Sequence, residues 1–199
     1  MSRLWRVAAV AAALALAGCG AAAPAPAQPT QPAVTASAPA LDAALAERVT
    51  AHAAQRLADA ADRLNPQDGY PRSTRPDGRW QLSDADSWTS GFFAGSLWLM
   101  FQRTGDPVWR QRAQRWTAGL EAQKTRTDTH DLGFMIFNSF GRQYQLTNDP
   151  HARDVSVEAA RSLATRFNPA VGAIKSWDVD PNDPQTRGWR FPVIIDNLM

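Results

Sequence analysis

One pattern occurs twice in this chain, 43 residues apart: an apolar helix, a polar break ending in Asp-Pro, and an amphipathic helix. In the first copy Gly91 to Thr104 is apolar almost all round, through Phe92, Phe93, Leu97, Trp98, Leu99, Met100 and Phe101. Arg103-Thr104-Gly105-Asp106-Pro107 follows, then an amphipathic stretch from Val108 to Lys124. In the second copy Asp131 to Thr147 carries Phe134, Met135, Ile136, Phe137, Phe140 and Tyr144. It runs into Leu146-Thr147-Asn148-Asp149-Pro150 and an amphipathic stretch from His151 to Phe167. A helix that is apolar on every side must be buried, and proline after aspartate restarts a helix at its first position. Self-similarity at this period marks helical hairpins, each pairing a buried inner helix with a half-exposed outer one. Inner helices this apolar need neighbours on both sides, which favours an all-α toroid over an open solenoid. A closed ring of six hairpins takes roughly 260 residues at this period. The chain is therefore read as about half of such a ring, an N-terminal fragment.

Ahead of the repeat, Leu41 to Leu64 spaces Leu45, Val49, Ala53, Leu57, Ala60 and Leu64 as one face of an amphipathic helix. Asn65 to Asp86, rich in Pro, Gly, Asp and Arg, reads as a long loop, and so does Phe167 to Phe191. Another apolar element is expected to begin at Pro192. Residues 1–18 read as a lipoprotein signal peptide: Arg3 and Arg6 precede an apolar stretch from Val7 to Leu16, and Leu16-Ala17-Gly18-Cys19 resembles a bacterial lipobox. Cys19, the only cysteine, excludes an intramolecular disulfide and is the expected lipid attachment point; a plain secretory signal with an incidental cysteine is the alternative. The apolar stretch is too short to span a membrane. Residues 19–40, almost all Ala, Pro, Thr, Gln and Ser, cannot bury enough apolar surface to order themselves and read as a disordered tether. The expected location is the bacterial cell envelope, as a lipid-anchored periplasmic or outer-membrane protein. Residues 41–199 form the folded part. The formal charge of +2 is accounted for by Arg3 and Arg6, so no basic patch points to nucleic acid.

In an alternating toroid the inner helices share a direction, so their N-terminal ends share a rim. Trp88 precedes the first, Asp131 starts the second and Asp196 stands where a third would begin. Two carboxylates and an indole then meet at one face. Each aspartate also suits an N-cap, which accepts hydrogen bonds from orphan backbone amides, and a helix N-terminus favours the ionised form. To act as an acid near neutral pH, one of them needs desolvation or a like-charged neighbour. The eight tryptophans are either packing bulk or platforms for a sugar face. Lys175-Ser176-Trp177 and Arg187-Gly188-Trp189-Arg190 mix cations with indoles, to hold an anionic sugar or as ordinary solvated surface. His130 stands beside Asp131, but with no second ligand at metal spacing a zinc site is not indicated. There is no glycine-rich phosphate loop and no serine nucleophile elbow.

Four motifs occur in order: Trp88-Thr89-Ser90-Gly91-Phe92-Phe93 with Gly95-Ser96-Leu97-Trp98; Thr129-His130-Asp131-Leu132-Gly133-Phe134-Met135; Ile174-Lys175-Ser176-Trp177-Asp178; and Phe191-Pro192-Val193-Ile194-Ile195-Asp196-Asn197-Leu198-Met199. Together they resemble the unsaturated glucuronyl hydrolases, a family of glycoside hydrolases, from about Leu41 onward. The resemblance implies an (α/α)6 barrel and removal of a 4,5-unsaturated uronic acid from the non-reducing end of lyase-generated oligosaccharides. It implies protonation at C4 of the vinyl ether and hydration at C5, unlike glycosidases that attack the anomeric centre. By motif, Asp196 is similar to the general acid/base and Asp131 to the second essential carboxylate. Trp88 is similar to part of the aromatic wall, with His130, Trp177, Trp189 and Arg190 as further substrate-binding candidates. No metal or organic cofactor is expected. The family's later residues, which hold the uronate or read sulfate, have no counterpart in this sequence, so the 199-residue chain alone is expected to be inactive. Two alternatives stand: an unsaturated rhamnogalacturonyl hydrolase acting on pectin fragments, and a non-catalytic, lipid-anchored glycan-binding repeat protein.

Overall fold

The computed structural model describes residues 42–198. The signal peptide, Cys19 and the tether lie outside the described residues. Two hairpins of helices form the body, and a matching joint connects the helices in each. Helix α2 (Ser90–Thr104) ends on Gly105 at φ 69°, and Asp106 then caps α3 (Pro107–Ala118) by accepting from the Val108 amide at 2.9 Å. In the second copy, α4 (Arg142–Thr147) ends on Asn148 at φ 56°. Asp149 caps α5 (Pro150–Ala164) by accepting from the His151 amide at 2.9 Å. Glycine and asparagine are the residues that tolerate this left-handed stop, so the repeated text encodes a repeated joint.

The second inner element departs from plain α-helix. Asp131 to Thr147 is expected as one α-helix, but Gly133–Gly141 is a π-helix and only Arg142–Thr147 is α-helical. Ser139 lies within the wider coil, donating to the Met135 carbonyl at 2.6 Å. This π-helix packs on α2 with almost no side-chain spacer. A Cβ built on Gly91 would sit 2.1 Å from the Phe134 carbonyl oxygen, and one on Gly95 would sit 2.8 Å from that of Asn138. Two glycines one turn apart thus let the inner backbones touch.

Around this seam the core gathers Phe93, Leu97, Trp98, Trp116, Leu120, Met135 and Ile136, all buried. Burying side chains of this size contributes about 1.5–3 kcal/mol each. The buried indoles find hydrogen-bond partners: Trp98 donates to the Thr117 hydroxyl at 2.9 Å and Trp116 to the Ala61 carbonyl at 3.4 Å. Helix α1 (Ala43–Arg63), capped by Asp42, lies outside and buries Ala60 and Ala61.

The Asn65–Asp86 segment is not a long loop. Strands β1 (Tyr70–Thr74) and β2 (Trp80–Ser83) pair antiparallel across Arg75-Pro76-Asp77-Gly78-Arg79. Gly78 adopts φ 78° there and donates to the Arg75 carbonyl at 2.9 Å. The residues read as breakers form the turn itself. Fully buried Tyr70 anchors the hairpin, donating to the Trp116 carbonyl at 3.1 Å; desolvation holds its phenol protonated far above the usual range. The outer helices stop short of expectation. Gly119 follows α3, with a 3-10 turn at Glu121–Thr125, and after α5 two-residue strands β3 (Phe167–Asn168) and β4 (Ala173–Ile174) pair. Where a third inner helix is expected, the described residues form a 3-10 turn, Ile195–Leu198. Among the described residues no helix is long and apolar enough to cross a membrane.

Candidate functional site

Trp88, His130, Asp131, Phe134 and Asp196 line one open cavity of about 430 Å³. They arrive from the loop before α2, the loop before the π-helix, the π-helix itself and the 3-10 turn. The rim inferred from helix direction is therefore realised, even though its third member stands on a turn.

Asp131 does not cap its helix. No side-chain cap bond forms at that end, and the Asp131 carbonyl accepts from the Met135 amide at 3.1 Å. Its amide donates to the Thr129 hydroxyl at 3.1 Å, and that hydroxyl in turn donates to the carboxylate at 2.9 Å. The second carboxylate oxygen lies 3.3 Å from His130 Nε2. The His130 side chain is 12% exposed and that of Asp131 21%, so the pair sits at the boundary between core and solvent. His130 Nδ1 is buried and has no hydrogen-bond partner among the described residues.

Two groups of aromatic rings meet at the cavity. Trp88 meets Phe134 edge-on at 5.8 Å and Phe92 at 6.0 Å, while Phe92 and Phe134 stack at 5.5 Å. His130 tilts against Trp177 at 5.8 Å, and Trp177 against Trp189 at 6.0 Å. Trp177 and Trp189 thus join the site through His130 without lining the cavity. Arg190 is exposed beside Trp189 and also lies off it, and Lys175 is paired with Asp178 at 2.7 Å. The tryptophans divide by role. Trp98, Trp109 and Trp116 are buried packing, whereas Trp88 and Trp189 are 47% and 51% exposed at the site.

Two arginines fasten the loops that carry these groups. Arg126 donates to the Asp86 carbonyl at 2.8 Å and grips the Asp128 carboxylate through two nitrogens, tying the Trp88 loop to the His130–Asp131 loop. That grip holds the Asp128 carboxyl below its ordinary range and raises Arg126 above its own. Arg166, with a side chain 6% exposed, donates to the Thr127 carbonyl at 2.6 Å and the Lys175 carbonyl at 2.8 Å. The sequence reading missed these clamps and also the place of Phe134. Phe134 stands one helical turn after Asp131, a spacing that sets both on one face; the arginine contacts that join separate loops, Arg126 to Asp86 and Arg166 to Thr127, span 40 and 39 residues and leave no local signature. Among the described residues no group of three or more His, Cys, Asp and Glu is placed to hold a metal ion.

No family model matches the chain. It is 46% identical over 115 residues to the unsaturated glucuronyl hydrolase of Formosa agariphila, covering 56% of this chain and 27% of that protein. A crystal structure of an unsaturated glucuronyl hydrolase specific for heparin is 42% identical with a TM-score of 0.64, covering 71% of this chain and 36% of that one. A solved structure of UGL with dGlcA-Glc-Rha-Glc is 31% identical with a TM-score of 0.53, covering 61% of this chain and 33% of that one. These relatives are α/α toroids. This chain spans about a quarter to a third of the length of the relatives it matches.

Proposed function

We propose, from the homology between this chain and the unsaturated glucuronyl hydrolases, that the protein bearing this sequence removes a 4,5-unsaturated uronic acid from the non-reducing end of an oligosaccharide. The observation that carries this reading is the pairing of an uncapped Asp131 with Asp196 across one aromatic-lined cavity. Asp196, acting as the acid, donates a proton to C4 of the enol ether, and positive charge develops at C5, stabilised by the ring oxygen. Water adds at C5 and loses its proton to the Asp196 carboxylate, which is thereby ready to act again. The hemiketal at C5 then opens the ring, and the exposed hemiacetal at C1 releases the neighbouring sugar as its alcohol. Asp131 contacts the sugar hydroxyls with the carboxylate oxygens that no helix amide holds. The faces of Trp88 and Phe134 stack on the flattened unsaturated ring, while His130, Trp177, Trp189 and Arg190 extend the binding surface toward the next sugar.

The test is loss of the ultraviolet absorbance of the conjugated uronate when the protein meets an unsaturated disaccharide. Asp196→Asn is expected to abolish that loss while leaving the melting temperature unchanged. Full activity in this variant overturns the reading. The sequence around Leu16-Ala17-Gly18-Cys19 further supports anchoring in the bacterial envelope by a lipid on Cys19. Cys19→Ser should eliminate incorporation of labelled fatty acid, and retained label would refute the anchor.

A further inference from the structure

Asp196 rides on a weak carrier. The 3-10 turn Ile195–Leu198 has only four residues, and turns of this kind hold their geometry poorly without support. The support comes from Ser176, which is fully buried and does not line the cavity. Its amide donates to the Pro192 carbonyl at 2.8 Å, its hydroxyl accepts from the Ile194 amide at 2.9 Å and donates to the Asn197 side-chain oxygen at 3.1 Å. The Asn197 amide nitrogen then donates to the Ile174 carbonyl at 2.5 Å. Four hydrogen bonds thus bracket Asp196, two before it and two after.

The bracket is continuous with the arginine clamp. Arg166 holds the carbonyl of Lys175, the residue before Ser176, and the carbonyl of Thr127, four residues before Asp131. A charged donor held largely out of water makes strong bonds, and its loss frees both carbonyls and the loops they belong to. A single rail therefore runs from the Asp131 loop through Arg166 and Ser176 to both flanks of Asp196.

We propose that Arg166, Ser176 and Asn197 are positioning residues that fix the separation of Asp131 and Asp196; this rests on the hydrolase reading above. Displacing a reacting group by about 1 Å costs on the order of a hundredfold in rate. The rail thus acts on turnover rather than on affinity.

The experiment compares Ser176→Ala, Asn197→Ala and Arg166→Lys with wild type in the complete enzyme, using an unsaturated disaccharide and thermal melting. For the two alanine variants the expected result is a fall in kcat of about a hundredfold, KM within about threefold, and cooperative melting. Arg166→Lys, which keeps the charge but reaches only one carbonyl, should fall between these and wild type. A folded Ser176→Ala or Asn197→Ala with wild-type kcat overturns the proposal, as does a change in KM alone. Loss of cooperative melting in both alanine variants also overturns it, since the rail would then serve folding. Wild-type enzyme that leaves the disaccharide intact sinks the hydrolase reading itself, before any variant is compared.

Discussion

Asp149 and Asp131 both stand where a polar loop gives way to a helix, and they do opposite things with their carboxylates. Asp149 accepts from the amides of His151 and Ala152 on one oxygen and from the Gln143 side chain, at 2.7 Å, on the other. The Gln143 bond first, and the two amides after it, hold its carboxyl below the ordinary aspartate range. Asp131 accepts one hydroxyl, lies near one imidazole and opens on the cavity. A carboxylate bonded to its own helix is fixed as an anion and is poor material for acid–base work. One released from capping keeps oxygens for a ligand. The outer helices hold Asp106 and Asp149 as caps, and the inner rim leaves the Asp131 carboxylate free of helix amides.

That contrast can be broken by exchange experiments. Asp131→Asn and Asp196→Asn should each lower turnover by roughly 10²–10⁴-fold, the range for loss of general acid–base groups. Stability should change by less than about 1 kcal/mol; a large drop in melting temperature for Asp131→Asn would return it to the caps. Next in size is Gly91→Ala, whose added methyl meets backbone oxygens on the π-helix. Overpacking of this kind costs about 1–3 kcal/mol or more, measurable by denaturant unfolding, and unaltered stability would deny the backbone seam. Asp149→Ala should cost about 1 kcal/mol and leave kcat per folded molecule unchanged.

The pH dependence of Asp149 gives a smaller and signed effect. Its folded carboxyl titrates lower than the unfolded one, so its stabilisation is present above the unfolded value of about 3.9 and fades as pH falls through the folded value. Wild type should therefore melt above Asp149→Asn at neutral pH, with the gap closing in acid; a gap that widens in acid would reverse the assignment. Smallest of all, breaking the exposed Arg103–Glu47 pair should shift stability by no more than about 1 kcal/mol.

Much of the helical plan was legible because Asp-Pro after a left-handed stop writes its joint into adjacent letters. The rim was legible in part: helix direction sets Trp88 and Asp131 on one face, whereas Asp196 reaches it on a 3-10 turn. The β1–β2 hairpin was misread because Pro76, Asp77 and Gly78 were counted as breakers instead of as a turn between Tyr70 and Trp80. The π-helix could not be read, since its apolar residues satisfy an α-helical period equally well and its coil is settled by packing on α2. The rail escaped for a different reason: Arg166 and Ser176 act on partners far along the chain, and no local pattern announces a buried hydrogen bond.

The seam at Gly91 and Gly95 has a consequence for how such a pocket diversifies. Where main chain lies against main chain there is no side chain to exchange, so substitution cannot tune the floor beneath Phe134 and Asp131. Variation is left to the loops, which hang from arginine contacts and carry Trp88, Trp177 and Trp189. New ligand preferences would arise by redrawing those margins over a base that stays constant.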